Sequence, residues 1–231
     1  MDKAEDQTGT LARVADLRVS YDAGELMEGD LAATPLVQFD AWFHAAEQAG
    51  IDEPNAMVVG TVDVNGNPTS RTVLLKGVDA RGFVFYTNLG STKSQQLRGN
   101  PHASLVFPWY ALHRQVVISG DVELLPRSEV DEYFTSRPHE SQLGAWVSRQ
   151  STVIDGREEL DAQWSRLAEQ YPVGSEVPVP EFWGGWLVRP RAIEFWQGRT
   201  SRLHDRLRFV SSTPGAHLDD ADAWQIERLS P

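Results

Sequence analysis

Residues 56–76, which read AMVVGTVDVNGNPTSRTVLLK, decide the fold of this chain. Two runs rich in β-branched residues, Ala56 to Val64 and Thr69 to Lys76, flank the tripeptide Asn65-Gly66-Asn67. Valine and threonine favour strands, and an Asn-Gly pair between two such runs is typical of a tight hairpin turn. The segment therefore predicts two antiparallel strands joined by a short turn.

Strand-like runs continue through most of the chain beyond this hairpin. They are Phe83 to Thr87, Ala103 to Phe107, Gln115 to Leu125, Trp183 to Val188, Ala192 to Gln197, Leu203 to Val210 and Trp224 to Leu229. Helical signals are fewer. Thr34-Pro35 reads as an N-cap with a first-turn proline and begins a helix that Gly50 ends. Further helices are predicted at 91–98, after a capping box at Ser128 to Asp131, and at 160–171. This order predicts a mainly β fold, an antiparallel barrel with peripheral helices.

The length of the chain bounds the number of domains. Its 231 residues suffice for one large domain or two small ones, and no clean linker or internal repeat divides them. Residues 1–33 are acidic and weakly patterned, so we expect most of this segment to be flexible. Residues 34–231 are expected to form one domain, with its last strands in about residues 183–231.

The composition excludes several classes of function. There are no cysteines, which excludes disulfides, thiolate metal sites and a cysteine nucleophile, and the six histidines show no metal-ligand spacing. No apolar run is long enough to span a membrane and the polar N-terminus is unlike a secretory signal, so we expect a cytoplasmic location. The net charge of −12 argues against nucleic-acid binding. An acidic protein that binds an anion must concentrate positive charge locally.

One such concentration is the run Arg202-Leu203-His204-Asp205-Arg206, which follows Trp196 closely. If the run is an extended strand, its alternation places Arg202, His204 and Arg206 on one face. Cations in a row beside an aromatic ring suit an anionic, planar ligand. The alternative is a solvated edge strand that carries charge against aggregation.

A second concentration is Arg71-Thr72-Val73-Leu74-Leu75-Lys76, in which two cations bracket four strand-favouring residues. Their odd separation sends Arg71 and Lys76 to opposite faces of a regular strand. The two would then serve different partners, unless a bulge intervenes. A plain edge strand is the alternative.

A third concentration lies where the strand at Tyr86-Thr87 gives way to Gly90-Ser91-Thr92-Lys93 and a helix opens. Hydroxyls, free backbone N–H groups and Lys93 at a helix N-terminus make a natural phosphate site. The glycine spacing of a Walker loop is absent.

A fourth set combines Tyr133, Arg137 and Ser141. The first two are four residues apart and would share a helix face, Pro138 breaks the helix, and Ser141 can turn back toward the same point. A phenol, a guanidinium and a hydroxyl that converge would receive a second phosphate, whereas the alternative is a surface pair. The following run, 144–151, offers the amide and hydroxyl groups that a flavin or base edge needs.

Taken together, these segments resemble the pyridoxine/pyridoxamine 5′-phosphate oxidase family. Seven runs carry the resemblance, in the family's order and approximate spacing: Arg71 to Lys76, Phe85 to Asn88, Phe107 to Trp109, Ser136 to Pro138, Gln142 to Trp146, Phe182 to Gly185 and Arg202 to Arg206. The resemblance covers roughly residues 35 to 231, with a short piece near Arg18 and Tyr21. Each run alone is weak, but their ordered co-occurrence is highly specific.

The resemblance implies a split β-barrel that binds FMN, as a homodimer with both active sites at the interface. It implies oxidation of pyridoxine 5′-phosphate or pyridoxamine 5′-phosphate to pyridoxal 5′-phosphate, with O2 reduced to H2O2. It assigns to FMN the residues Arg71, Thr72, Val73, Leu74, Leu75, Lys76, Tyr86, Thr87, Lys93, Gln115, Gln150, Ser151, Trp196 and Arg206. It assigns to the substrate Lys76, Tyr133, Arg137, Ser141, Arg202 and His204, with Arg18 and Tyr21 closing over it.

The resemblance also implies roles for these residues. FMN accepts two electrons from the substrate C4′ carbon, so the protein must stack the pyridine ring on the flavin and fix the substrate phosphate. Arg202 and His204, the expected catalytic pair, would cover the ring and orient C4′. His204 could also relay a proton, because the usual pKa of histidine lies near working pH, although a positioning histidine would look the same in sequence.

The chain departs from the family pattern at two places. Many members carry Arg where this chain has Thr92, which removes a cation from the expected FMN phosphate site. The stretch between Val210 and Trp224 is longer than the family's hairpin loop, and we expect it to be peripheral.

Two other functions remain open from the sequence. A related split-barrel flavin oxidase acting on another small molecule, such as a phenazine-type precursor, would keep the FMN residues and lose the substrate-phosphate set. A non-enzymatic pyridoxal-phosphate or flavin-binding protein would bind its ligand without oxygen-dependent turnover. The joint presence of Tyr133, Arg137, Ser141, Arg202 and His204 favours the vitamin B6 reaction.

Overall fold

A computed structural model describes Tyr21 and residues 24–231 of the chain. Nine strands form in this part, β1 to β9 in chain order: Ala56–Val62, Pro68–Leu74, Gly77–Asp79, Gly82–Asn88, His102–Trp109, Arg114–Leu124, Trp183–Gln197, Asp205–Ser211 and Trp224–Arg228. Arg18 lies outside the described residues, so its expected contact with the substrate stays a prediction.

Helices accompany the strands but are fewer. The α-helices of the described residues, α1 to α5, are Pro35–Gln48, Thr92–Gly99, Arg127–Ser136, His139–Val147 and Arg157–Gln170. Short 3-10 helices occupy Glu28–Asp30, Tyr110–Leu112, Thr200–Arg202 and Ala221–Ala223. None of the helices between residues 24 and 231 combines the length and the apolar character needed to cross a membrane. The predicted mainly β class is confirmed.

The nine strands form one antiparallel sheet, which curls into an open barrel. The path through the sheet is β2-β1-β5-β6-β7-β4-β3, with β2 and β3 at its two ends. β7 is the central strand of the sheet. One of its edges pairs with β6 from Trp186 to Gln197, whereas the other edge pairs first with β4 and then with β8. β9 completes the sheet by pairing with β8.

The barrel interior is filled by aromatic and aliphatic side chains. β5 buries every second residue from Ala103 to Trp109, as the strand period of two requires. α1 closes this interior with Phe39, whose ring packs edge-on against Phe83 at 4.9 Å and Phe107 at 5.2 Å between centroids. A smaller cluster around Phe134 joins α3, α4 and α5 to the outside of the barrel.

The beginning of α1 is as the sequence predicts. Thr34 accepts a hydrogen bond from the N–H of Val37 through Oγ1 at 3.3 Å, and Pro35 is the first helical residue. Pro35 has no N–H to leave unpaired, which makes it suitable there. The chain leaves the helix through Gly50 at φ +68°, a left-handed conformation that glycine adopts without strain.

The helix predicted near residues 128–134 exists as α3, but two details of the prediction are wrong. α3 begins at Arg127 after Pro126, and no side chain caps it, so the capping box does not form. α3 ends at Ser136, and Arg137 has extended backbone (φ −73°, ψ 149°) because the following Pro138 disfavours helical geometry there. Tyr133 and Arg137 therefore do not share a helix face. α4, which was not predicted, begins directly after Pro138.

The prediction that residues 202–206 lie in one strand is also wrong. Arg202 ends a 3-10 turn and β8 begins only at Asp205. Ser201 and Arg202 have φ values of +56° and +62°, so the chain turns sharply at this point. Alternation with period two holds only inside a strand, and Arg206 alone of the three protonatable side chains lies in one.

Other strand boundaries differ in ways that matter for the site. β2 ends at Leu74, so Lys76 lies beyond the strand and the argument from opposite strand faces does not apply. The two strands predicted at 183–188 and 192–197 are halves of the single strand β7. A bulge joins the halves, since Ser119 of β6 faces Ala192 whereas Gly120 faces Pro190.

The stretch between Val210 and Trp224 packs into the core, so the expectation that it is peripheral is wrong. Leu218 is fully buried. Its N–H donates to the carbonyl of Ala80 at 2.8 Å, and its carbonyl accepts from the N–H of Leu36 at 3.1 Å. This single buried anchor ties α1 to the turn between β3 and β4, which the length of the loop does not reveal.

Replacing Gly120 with alanine should destabilise the protein. A Cβ at this position would lie 2.0 Å from the carbonyl oxygen of Arg189 and 2.8 Å from Cα of Pro190, so the bulge would have to move. Overpacking against backbone costs about 3 kcal/mol, and a chain of this size would then lose roughly 6–12 °C in melting temperature. The change in melting temperature is measured by thermal unfolding at fixed protein and FMN concentrations.

Gly29→Ala is the matched control, because nothing lies within 4 Å of the added Cβ. Its melting temperature should stay within about 2 °C of the wild-type value, as for an unobstructed surface position. Equal melting temperatures for the two variants would contradict the close approach at the bulge.

Candidate active site

Lys93 is the charged centre of the first group of predicted site residues. It lies in the first turn of α2 and is only 7% exposed. Its Nζ donates hydrogen bonds to Oε1 of Gln150 at 2.6 Å and to Oγ1 of Thr87 at 3.1 Å. Both acceptors are neutral, so these bonds satisfy the ammonium group without balancing its charge.

Arg71 of β2 is held close by in the same manner. Its Nη1 donates to the carbonyl of Val59 at 3.1 Å and to Oγ1 of Thr61 at 2.6 Å. Its Nη2 donates to Oγ1 of Thr69 at 2.5 Å. Again every acceptor is neutral.

These two cations have no carboxylate partner among the described residues. Burial, and next the positive charge of Arg71, lowers the pKa of Lys93 to about 8. Burial likewise lowers the pKa of Arg71. A buried ammonium beside a half-buried guanidinium, at a helix N-terminus whose dipole is also positive, favours an anion such as a phosphate ester. We call Arg71, Thr87, Lys93 and Gln150 the cation pocket.

A second group combines two phenols with a guanidinium. The ring of Tyr133 on α3 stacks on Tyr86 of β4, with centroids 3.8 Å apart and planes at 10°. Burial raises the pKa of both phenols, so each hydroxyl keeps its proton. The guanidinium of Arg137 lies 4.4 Å over the ring of Trp183, and its buried Nη1 has no hydrogen-bond partner among the described residues. We call Tyr86, Tyr133 and Arg137 the phenol–guanidinium face.

Arg81 fixes α3, and with it Tyr133, against the barrel. Its Nη1 and Nη2 donate to the two carboxylate oxygens of Glu129 at 2.8 and 2.9 Å, and its Nε donates to Asp79 at 3.1 Å. Hydrogen bonds to Glu129, and next to Asp79, raise the pKa of Arg81. Glu129 lies one turn before Tyr133 on α3. The ion pair between Arg81 and Glu129 therefore fixes the position of the Tyr133 phenol.

A third group lies at the end of β7 and consists of aromatic rings. Trp196 and His204 have ring centroids 4.6 Å apart. Tyr21 approaches both edge-on, at 6.0 Å from Trp196 and 5.6 Å from His204, and approaches His113 at 4.6 Å. We call Tyr21, His113, Trp196 and His204 the ring cluster.

The hydrogen bonding of His204 determines which of its nitrogens is free. Nδ1 accepts from the backbone N–H of Arg199 at 3.1 Å, so the neutral ring carries its proton on Nε2. Burial, and next the positive charge of Arg202, lowers the pKa of His204. The imidazole is therefore predominantly neutral at neutral pH, and its Nε2–H is a hydrogen-bond donor.

Arg206 and Gln115 lie beside the ring cluster. Arg206 donates to both carboxylate oxygens of Glu194 at 2.8 and 3.0 Å, and it faces Trp196 across the β7–β8 pair. Gln115 faces Trp196 on the other side, across β6–β7. Arg202 is exposed and follows Ser201 in a left-handed turn, a strained conformation of the kind found in functional loops.

The remaining predicted site residues occupy mixed environments. Thr72, Thr92 and Ser151 are exposed, Val73, Leu74 and Ser141 are half-buried, and Leu75 is buried in the barrel core. Lys76 is exposed at the rim of an open cavity of about 850 Å³ between α1 and residues 75–78.

The cation pocket and the ring cluster lie at opposite ends of β7. Thr87 of the cation pocket pairs with Gly184 near the start of β7, and Trp196 stands twelve residues further along that strand. At the rise of an extended chain this separation is roughly 40 Å along the strand, much longer than one small ligand. One protomer therefore does not bring the two groups to a single ligand.

Sequence reasoning missed several residues of the site. Gln96 accepts from the hydroxyls of Thr61 at 2.5 Å and Thr69 at 2.8 Å, and so holds the partners of Arg71. It lies three residues after Lys93 on α2, and helical spacing could have placed it on the same face. His113 of the ring cluster had no such signal, because its contact with Tyr21 joins distant parts of the chain.

Comparison with known proteins adds independent information. A family model described as pyridoxamine 5′-phosphate oxidase matches residues 43–171, and one described as the pyridoxine 5′-phosphate oxidase C-terminal dimerisation region matches residues 183–231. A pyridoxine/pyridoxamine 5′-phosphate oxidase from Salinispora arenicola is 51% identical over 227 residues, which cover 98% of this chain and 100% of the relative. A protein of the same name from Thermobifida fusca is 52% identical over 220 residues, covering 94% and 97%.

Among solved structures, PhzG from Burkholderia lata, in complex with tetrahydrophenazine-1-carboxylic acid, has the same architecture. Its TM-score is 0.81 at 28% identity, over 92% of this chain and 100% of that chain. The fold and the cation pocket together define a split-barrel protein with a site for a phosphate-bearing ligand. The family models and the relatives are more specific: the chain belongs to the pyridoxamine 5′-phosphate oxidase family. The resemblance and the fold class that the sequence predicts are both confirmed.

FMN affinity should weaken as the pH rises above about 8. Lys93 is charged below its pKa of about 8 and neutral above it, so its attraction for a phosphate is present at low pH and lost at high pH. Fluorescence titration of the apoprotein with FMN, between about pH 6 and pH 9.5, should give a Kd that is flat at first and then increases up to tenfold per pH unit.

Riboflavin and Lys93→Arg are the controls for this titration. Riboflavin lacks the phosphate, so its Kd should not follow the same curve. Arginine stays charged throughout this range, so the variant should bind FMN with little pH dependence. An equally steep curve for Lys93→Arg would contradict the assignment of the phosphate to Lys93.

Proposed function

We propose that this protein is an FMN-dependent oxidase that converts pyridoxine 5′-phosphate or pyridoxamine 5′-phosphate to pyridoxal 5′-phosphate, with O2 reduced to H2O2. One observation carries the proposal: the buried Lys93 and the half-buried Arg71 lie near each other with only neutral partners among the described residues. A phosphate-bearing cofactor supplies the missing negative charge. The nearly full-length relatives bear the name of this enzyme.

The cation pocket fits the phosphate of FMN. Lys93 and Arg71 would pair with its charge, and the hydroxyl of Thr87 and the amide of Gln150 already surround the ammonium group. Bound FMN supplies the two-electron acceptor that no side chain of the protein can supply. The task of the chain is to hold this cofactor and to place the substrate against it.

The phenol–guanidinium face fits the phosphate of the substrate. Arg137 has a buried Nη1 that lacks an acceptor, and Tyr133 keeps its hydroxyl proton as a donor. Ser141, in the first turn of α4, and the exposed Lys76 would complete the set. Donors with unsatisfied N–H and O–H groups suit a phosphate, which accepts hydrogen bonds and donates few.

Arg202 and His204 are proposed to orient the reacting end of the substrate. The neutral His204 carries its proton on Nε2, because Nδ1 already accepts from the N–H of Arg199. In this form Nε2 donates a hydrogen bond and has no lone pair for a substrate proton. We therefore assign His204 a positioning role, in place of the proton relay that the sequence left open.

The full site requires two copies of the chain. The cation pocket and the phenol–guanidinium face lie by the first half of β7, whereas the ring cluster, Arg202 and Arg206 lie by its end. A twofold axis can place the end of one β7 near the start of the other, so that each site takes one group from each protomer. The match of residues 183–231 to the family's dimerisation region supports this arrangement.

An oxidase of another small molecule is the second candidate. The likeness to PhzG, solved with a phenazine precursor, is what favours it. A substrate without an anionic group would leave the buried Nη1 of Arg137 without an acceptor, whereas a phosphorylated substrate supplies one. Assays with both substrate classes separate the candidates.

The direct test is turnover in air with added FMN. Purified protein should form pyridoxal 5′-phosphate from at least one of the two phosphorylated substrates, with H2O2 in equal amount. Arg202→Ala should lower kcat/KM by about 100-fold, as loss of a positioning contact does. Arg208→Ala is the control, since Arg208 lies on β8, the strand that follows the Arg202 turn, and pairs only with Glu227 among the described residues. Yellow protein without product from either substrate would overturn the proposal.

Replacing Thr92 with arginine should tighten FMN binding. Thr92 is exposed at the first position of α2, directly before Lys93, so a guanidinium there could reach the phosphate. One added charge-assisted hydrogen bond should lower the Kd for FMN by about tenfold. Titration with riboflavin is the control and should show no change. A Kd for FMN that does not change would place the phosphate away from the N-terminus of α2.

A further inference from the structure

Asp205 is a buried carboxylate that links the ring cluster to the N-terminal segment. It is the first residue of β8, next to His204, and only 9% exposed. Its Oδ2 accepts from the backbone N–H of Leu26 at 3.1 Å and from Nη1 of Arg199 at 3.1 Å. Its Oδ1 accepts from Nη1 of Arg228 at 2.8 Å. Three donors from three distant parts of the chain therefore meet on one side chain.

Arg228 at the end of β9 secures the same N-terminal segment. Its Nε and Nη2 donate to the two carboxylate oxygens of Glu28 at 2.6 and 2.9 Å. Its Nη2 also donates to the carbonyl of Leu26 at 3.1 Å. The side chain of Leu26 is 4% exposed and belongs to the barrel core. Residues 26–28 are thus held by backbone, side chain and apolar contact together.

Arg199 connects this network to the loop 199–204, which carries Arg202 and His204. One of its nitrogens, Nη2, pairs with Glu25 at 2.9 Å, while Nη1 pairs with Asp205 at 3.1 Å. Its backbone N–H is the donor that occupies Nδ1 of His204. A shift of Arg199 would therefore change both the orientation of the imidazole and the docking of the N-terminal segment.

The carboxyl group of Asp205 stays ionised although it is buried. Burial raises the pKa of its carboxyl, but the hydrogen bonds from Leu26, Arg228 and Arg199 outweigh that effect and leave the pKa below its usual value. Removing one partner of such a network costs more than an exposed pair, because the others are left unbalanced. Tyr21, five residues before Leu26, completes the ring cluster against His204.

We propose that Asp205 is a positioning residue: it fixes residues 25–28 against the loop 199–204, so that Tyr21 and the Nε2 of His204 face the substrate together. The inference rests on the proposed function, since it takes the ring cluster to be the place where the substrate ring binds. The network links the docking of residues 25–28 on Asp205 to the orientation of the His204 imidazole. Substrate affinity is the quantity that this connection controls.

Asp205→Asn tests the proposal. The variant should raise KM for the phosphorylated substrate by about 10- to 100-fold, as misplacement of binding groups does. Its Kd for FMN should change far less than its KM, because the cation pocket proposed to hold the FMN phosphate is remote from the change. A merely unstable protein would instead lose active fraction, which lowers kcat and flavin content and leaves KM unchanged. Amide exchange at Leu26, measured on the folded dimer, should become at least tenfold faster.

Glu227→Gln is the matched control for Asp205→Asn. Glu227 lies on β9 beside Arg228 and pairs with Arg208 at 2.6 Å on the exposed side of the same hairpin. It should leave KM and the exchange rate at Leu26 unchanged. If Asp205→Asn does not fold, Glu28→Gln replaces it, because Glu28 is exposed and its loss loosens only Arg228. A two- to fivefold rise in KM is then expected, roughly the effect of one partly exposed ion pair.

The outcomes separate this inference from the proposed function. Wild-type protein that turns over neither phosphorylated substrate would overturn the proposed function and this inference with it. Wild-type turnover together with an unchanged KM in Asp205→Asn, or in Glu28→Gln, would overturn this inference alone.

Discussion

The close approach of two like charges, one buried and one half-buried, is the constraint on which the rest of the site depends. Every hydrogen bond that Lys93 and Arg71 donate goes to a neutral oxygen, so these bonds leave the positive charge unbalanced. The chain has a net charge of −12, and two neighbouring cations would attract a carboxylate. Among the described residues, however, no carboxylate pairs with either of them. An unbalanced pair of this kind is costly in the free protein and becomes favourable when a phosphate arrives. Cofactor binding and the stability of the folded chain are therefore linked.

The second constraint is the length of β7, which gives each protomer two half-sites and keeps them apart. The strand runs from Trp183 to Gln197 without interruption, because Gly120 allows the neighbouring strand to approach closely at the bulge. Phosphate-binding groups collect at its first half, and the rings that suit a planar substrate collect at its end. Under the proposed arrangement, association of two chains builds the active site, and dissociation would remove activity even if each protomer stayed folded.

Much of the fold could be predicted from the sequence, since strand propensity, the Asn-Gly turn and the Thr34 cap act over a few residues. The place of Lys93 at a helix start was also predictable, and its contact with a phosphate stays a prediction. Contacts that join distant segments were not. The roles of Asp205 and His113 depend on which distant parts of the chain come into contact. The left-handed turn at Ser201 contains no glycine, the residue that would have indicated it in the sequence. The expected row of cations at 202–206 failed for that reason.

The central claim, that each site takes one half from each of two chains, is tested most directly with a purified mixed dimer. One chain carries Arg137→Ala and the other Arg202→Ala, with different affinity tags, and each variant alone is inactive as its own dimer. If the halves come from different chains, the mixed dimer contains one site with both changes and one intact site. It should then show about half of the wild-type activity per dimer. A mixed dimer as inactive as its parents would contradict this account, because it would place both arginines of a site on the same chain.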